Sequence, residues 1–295
     1  MMQKLVCRKL RTDQHARIQR AIRFVPFQEE SMKKSVSLLC FVAFCLSLAS
    51  PLLAQEAAVA RLSLWNVKRT HWRSYVENWK ENQKPVLDKL LAEGKIKDYG
   101  LTTAYLHDSS GYTHVAWVSA DDLSGLEAVA DANRERRNAR SDKERDQGAA
   151  EFTSSIQGHT DTLVRSLVFE SRPADVDSGY FTTSSVKVKR GHGAEWRELW
   201  NKYTKPVLAQ LLANGTILSY GLDVELVHTE ALGTYTQWIG LASAEAHTKM
   251  RAAFQADRDK RSAEERRAVQ DAFWSHVVAG EHRDSMTSIV HYAVK

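Results

Sequence analysis

Apolar and polar positions alternate through ARLSLWNVK, from Ala60, in the two-residue period of a strand. The period then lengthens. In WRSYVENWKENQKPVLDKLLAEGK the residues Trp72, Tyr75, Val76, Trp79, Val86, Leu87, Leu90 and Leu91 keep three-and-four spacing, which predicts a helix ending at Gly94. Pro85 lies inside that pattern and lacks the N–H a continuous helix needs, so two helical segments should meet near Lys84. IKDYGLTTAYLHD, the turn SSG and YTHVAWVSA then alternate as a β-hairpin. From Asp121 to Phe152 the chain is alanine-rich and densely charged, as one or two exposed helices with internal ion pairs would be. DTLVRSLVFES closes the unit as a strand, giving the order β-α-β-β-α-β.

The pattern then recurs. KPVLDKLLAEGKIKDYGL, from Lys84, is answered by KPVLAQLLANGTILSYGL, from Lys205, with 12 of 18 positions identical. At the same offset of 121, Val67, Lys68, Arg69, His71 and Trp79 return as Val188, Lys189, Arg190, His192 and Trp200. Matching residue letters then suggest a drift: Tyr112-Thr113 meets Tyr235-Thr236 with two extra residues, and 133–137 meets 257–261 with three. The offset returns to 121 at Ser141 and Ser262. The reading is a tandem duplication, with repeats at 59–172 and 178–295.

A β-α-β-β-α-β unit places helices on one face of an antiparallel sheet and leaves the other face needing cover. The order of elements and the repeated helix-to-strand passage resemble the dimeric α/β barrel superfamily of ferredoxin-like units. That superfamily includes antibiotic-biosynthesis-type monooxygenases, haem-degrading monooxygenases and chlorite dismutase-like proteins. The resemblance implies an α+β fold in which two ferredoxin-like units pair their antiparallel sheets as an intramolecular barrel. No catalytic motif of a named member is matched.

The segment before the first repeat has another character. MKKSVSLLCFVAFCLSLASPLLAQ carries two lysines after Met32, an apolar run and the small residue Ala54, the layout of a secretory signal peptide over 32–54. Residues 1–31 then read as an upstream extension, and the expected location is secreted or periplasmic, with no stable membrane insertion after cleavage. Nine of the 41 basic residues and three of the 36 acidic ones precede residue 55, so the remainder is near neutral despite a sequence pI of about 9.0. That removes the electrostatic case for a nucleic-acid partner. Cys7, Cys40 and Cys45 all precede residue 55, so the repeats contain no disulfide or thiolate site.

Candidate chemistry is sparse. No metal-ligand motif, phosphate loop or nucleophile elbow occurs, and no motif requires a cofactor. Trp79 and Trp200 read as core, and His71 and His192 as capping or solvent-facing residues. His107 and His228 follow the second strand of each repeat and are the candidates for general acid–base chemistry. On the opposite face of that strand Thr102 and Ala104 correspond to Asp223 and Glu225, so two carboxylates should enter the barrel from one half only. Tyr105, Trp117 and Trp238 complete the expected ligand-binding set. The runs RERRNAR and DRDKRSAEERR alternate in sign and read as solvated helix faces. The leading expectation is a barrel that binds a small, partly apolar molecule between its two sheets. The alternatives are a cofactor-independent monooxygenase-like or haem-handling enzyme and a ligand-free interaction module. A second copy of the chain is the one macromolecular partner considered.

Overall fold

The computed structural model describes residues 58–105, 111–227 and 233–295. The leader, and with it the signal-peptide reading, lies outside the described residues. In the first repeat β1 (Val59–Val67) leads into the helices α1 (Trp72–Asn82) and α2 (Lys84–Ala92), broken at Gln83 as Pro85 requires. The hairpin β2 (Asp98–Ala104) and β3 (His114–Ala120) follows, then α3 (Leu123–Asn138), α4 (Asp142–Ser155) and the long strand β4 (Ile156–Ser171). A short β5 (Ala174–Val176) connects to the second repeat, which runs β6 (Tyr180–Val188), α5 (Gly193–Tyr203), α6 (Lys205–Ala213), β7 (Ser219–Glu225), β8 (Thr234–Leu241), α7 (Ala244–Asp259), α8 (Ala263–Ser275) and β9 (Val277–Val294).

Within each repeat the first strand lies between the third and the last, and the second strand pairs with the third. The long last strands then cross over. β4 pairs antiparallel with β7 of the other repeat, and β9 pairs antiparallel with β2. These two reciprocal pairings close an eight-stranded barrel with helices outside, which removes the free sheet edges each repeat would expose alone.

The structure corrects the drift inferred from residue letters. Trp65 faces His114 across β1 and β3, and Val186 faces Tyr235 across β6 and β8, so His114 and Tyr235 are counterparts at an offset of 121. The caps agree: Asp122 opens α3 and Ser243 opens α7, while Ser141 and Ser262 form capping boxes at α4 and α8. The two apparent slips were of two residues in a strand and three in a helix. Both shifts leave the same face inward, so hydrophobic patterning cannot detect them.

Apolar side chains form a core beneath the helices of each repeat and a third cluster inside the barrel. Trp79 and Trp200 belong to the first two, as expected. The third joins Phe181, Leu218, Ile289, Tyr292 and Val294 to the half-buried Trp117, Phe169 and Trp238. Trp117 meets Phe181 edge-on at 4.9 Å, and Phe181 meets Tyr292 at 5.1 Å, so one end of the barrel is plugged by aromatic rings.

Candidate functional site

Among the described residues one cavity lies inside the barrel and another beneath the helices of the first repeat. The barrel cavity measures about 310 Å³ beside the aromatic plug. Its wall includes Trp117, Asp223, Glu225 and Trp238 from the expected set, together with a ring of serine and threonine hydroxyls. Two glycines at equivalent positions make the walls. Trp117 lies over Gly100 and Trp238 over Gly221, and a Cβ at either glycine would fall inside the indole ring's contact distance. Each indole N–H then finds a carboxylate, but in opposite directions along the strand. Trp117 donates to Asp98, two residues before its glycine, at 3.0 Å, and Trp238 donates to Asp223, two residues after its glycine, at 2.9 Å.

The expectation of carboxylates from one half only is therefore corrected: Asp98 supplies one from the first repeat, where the second has Ser219. Both are buried, Asp98 at 2% exposure and Asp223 at 6%. Burial raises Asp98 to about 6 against opposing hydrogen bonds from Ser119 and Trp117. Burial raises Asp223 to about 7, the neighbouring Asp98 charge adding to it while Ser166 and Trp238 oppose. Ser166 lies close enough to Asp223 to oppose its rise, and buried Oδ1 of Asp223 has no hydrogen-bond partner within bonding geometry among the described residues. Tyr105 is corrected as well. It shares the outward face of Tyr99 and Leu101, projects past the helices at 56% exposure and meets Tyr180 edge-on at 5.5 Å. His107 and His228 lie outside the described residues.

The second cavity, of about 540 Å³, lies between the sheet and the helices of the first repeat. Its floor is the outward face of β1, with Arg61, Ser63 and Trp65, and its walls are α1, α3 and α4. Residue size explains why it is open. Asn78, Asn82, Asn133 and Gly148 line it, whereas the counterparts 121 residues on are Leu199, Tyr203, Phe254 and Val269. Phe254 packs into the second core, and Tyr203 meets Phe273 at 6.3 Å. Positions held by larger, half-buried side chains in one repeat line a cleft in the other.

The cleft is also cationic. Arg136 donates to the carbonyl oxygens of Glu81, at 2.9 Å, and Asn82, capping the C-terminus of α1, and to Oδ1 of Asn82 at 2.8 Å. Arg140 donates to the same Oδ1, so two guanidiniums converge on one neutral amide. Burial, and after it the Arg140 charge, hold Arg136 below the ordinary guanidinium range. The counterpart of Arg136 is Asp257, which instead pairs with Arg261 at 2.7 Å. The solvated-face reading of RERRNAR is corrected accordingly: Arg134 pairs with Asp131 on the surface, whereas Arg136 and Arg140 turn inward. DRDKRSAEERR is only partly the solvated face expected: Lys260 and Arg266 reach Asp257 and Asp259 near the surface, but Arg261 pairs with Asp257 in a largely buried contact.

A third polar cluster joins the repeats. Tyr99 hydrogen-bonds Asp88 and sits 3.0 Å from Nε2 of His291, whose Nδ1 is 2.8 Å from Asp177. Lys84 and Lys80 close its ends on Asp88 and Asp177. Its rings are buried and every link is partnered, which is the signature of a structural clamp between β2 and β9. His114, fully buried beside Trp72 and Tyr75, is kept neutral by desolvation, which lowers it to about 4. His71 and His192 stand at the N-caps of α1 and α5 but make no side-chain capping bond; His71 is half-buried and His192, exposed, lies 3.0 Å from His276. Among the described residues no His, Cys, Asp or Glu cluster is arranged to hold a metal ion, and no helix is long and apolar enough to cross a membrane.

No family model and no curated protein matches the chain. Solved structures do match it. A candidate monooxygenase of Lactobacillus acidophilus aligns with TM-score 0.55 and 10% identity over 81% of this chain and 97% of its own. A candidate monooxygenase of Fusobacterium nucleatum aligns with TM-score 0.54 and 8% identity over 81% and 95%. The fold is the dimeric α/β barrel. At these identities the likeness concerns the fold alone, and the chemistry has to be argued from the two cavities.

Proposed function

We propose that this α/β barrel binds a small, partly apolar molecule in the cleft of its first repeat. One observation carries the reading: the same elements enclose about 540 Å³ in the first repeat at positions the second fills with Leu199, Tyr203, Phe254 and Val269. A duplicated frame that carries larger, partly buried side chains at these positions in one copy has no packing reason to stay open in the other, since an unfilled cavity costs stability. The wall offers rings for an apolar body, with Trp65, Tyr75 and Phe152 together at one end. We also take the leader to direct export, on its charge and hydropathy pattern alone.

The barrel interior is the second reading, favoured by its cavity and by the unbonded Oδ1 of Asp223. Catalysis is supported at the level of fold only, through neighbours described as candidate monooxygenases. Neither cavity's described wall contains a histidine to ligate haem, so no step is routed through that group.

The test is to import the second repeat's filling. Asn133→Phe with Gly148→Val should abolish fluorescence enhancement of the neutral dye N-phenyl-1-naphthylamine, which the parent protein should bind, while raising the unfolding midpoint. Unchanged dye binding in the filled variant would move the site to the barrel. Asp223→Leu should then be the variant that loses it.

A further inference from the structure

We infer that the first-repeat cleft selects an anion: its ligand is a small aromatic molecule carrying one carboxylate or sulfonate group, bound between Arg61 and Arg140. This rests on the cleft being the binding site and adds the ligand's charge. The cleft wall contains five guanidiniums, from Arg61, Arg136, Arg137, Arg140 and Arg145, against the single carboxylate of Glu151. Arg136 is held by helix-end carbonyls and Arg145 by Asp142, so those two have structural tasks. Arg140 donates to the shared amide of Asn82 and lies close enough to Glu144 to help lower its pKa, but forms no ion pair among the described residues. Arg61 is half-buried on the cleft floor and finds no hydrogen-bond or ion-pair partner among the described residues. Long cationic side chains left half-buried without a direct ion-pair partner are costly, and an anion seated between them removes that cost.

The second repeat shows the alternative solution. There Thr182 replaces Arg61, and Asp257 replaces Arg136 and neutralises Arg261, which lies 5.0 Å over the ring of Tyr203. A cleft and guanidiniums without a direct ion-pair partner therefore occur together in one repeat, where the equivalent positions of the other hold larger side chains, Thr182 and the Asp257–Arg261 pair. Two independent substitutions, one of size and one of sign, point to one occupant.

A matched pair of dyes tests this. 1-Anilinonaphthalene-8-sulfonate and N-phenyl-1-naphthylamine share an aromatic body and differ by one anionic group. The parent protein should bind the sulfonate at least tenfold more tightly, with a preference that shrinks as salt rises. Arg61→Gln, which breaks no hydrogen bond or ion pair among the described residues, and Arg140→Gln should each weaken the sulfonate five- to tenfold and leave the neutral dye unchanged. Asn133→Phe with Gly148→Val should abolish both. Equal affinity for the two dyes, or equal losses of both in the arginine variants, would overturn the anion while leaving the cleft as a site. Failure of both dyes to bind the parent protein would remove the cleft reading and this inference together.

Discussion

The two repeats share an order of elements and an offset of 121 from end to end, yet they use the frame differently. Residues that set the frame are retained in both: the prolines that divide the helix pair, the glycines under the two tryptophans, and the serines of the two capping boxes. Residues that fill the frame have diverged in compensating sets. At the start of the first helix, Trp72 meets His114 edge-on in the first repeat, and the same places hold Gly193 and Tyr235 in the second. The Tyr235 hydroxyl occupies the space that a Cβ on residue 193 would need. Large with small and small with large give the same packing, so each pair has meaning only as a pair.

The strongest way to break the comparison is to exchange half of such a pair. Gly193→Trp alone should destabilise the protein by about 3 kcal/mol or more, because an indole must displace a buried tyrosine. Adding Tyr235→His should recover part of the loss, and the coupling would be read as a double-mutant cycle from urea midpoints. A double variant no better than the single one would show that the local frames differ.

The barrel carboxylates come next in size. Asp98 and Asp223 answer one another across the cavity from non-equivalent positions, and burial raises them from the ordinary aspartate range to about 6 and about 7. Between those values the folded state holds protons that the unfolded chain has released, so stability falls as pH rises from 4 through 7. The protein should be more stable at pH 5 than at pH 8 by about 2–4 kcal/mol from this pair. Asp223→Asn keeps an acceptor for Trp238 and should remove the larger share of that dependence. Urea titrations at the two pH values decide it, and a slope unchanged by the substitution would mean that Asp223 is charged and solvated.

These particulars also show what the sequence could reveal. The helix break at Pro85, the hairpins and the duplication were legible because Pro, turn residues and periodicity act locally. The inward placing of Asp223 and Glu225 was legible because alternation fixes a strand's faces. The cleft was not, for a definite reason: with a false three-residue slip, Asn133 was aligned with Asp257, and the true counterpart Phe254 stayed out of view. Read at the constant offset, Asn78 with Leu199, Asn82 with Tyr203 and Asn133 with Phe254 would have exposed a polar seam through one core. The clamp from Asp88 through Tyr99 to His291 was out of reach, since it needs the pairing of β2 with β9 across the whole chain.

The smallest predicted effect compares the capping boxes, which are chemically the same in the two repeats. Ser141→Ala and Ser262→Ala each remove a hydroxyl that accepts from the N3 amide, a loss of about 1 kcal/mol at a helix start. The helices they open are held differently. α8 carries Phe273, in its last turn, against Trp196 and Tyr203, so the helix is anchored to the second core at its far end. α4 crosses the open cleft, and its Phe152 remains 44% exposed. Ser262→Ala should therefore lower global stability by about 1 kcal/mol, whereas Ser141→Ala should chiefly speed amide exchange in 142–155 and barely move the urea midpoint. If the cleft is what uncouples α4, filling it with Asn133→Phe and Gly148→Val should make Ser141→Ala as costly globally as Ser262→Ala. Equal global losses in the parent background would instead show α4 to be as firmly docked as its counterpart, with the cleft enclosed by a rigid wall.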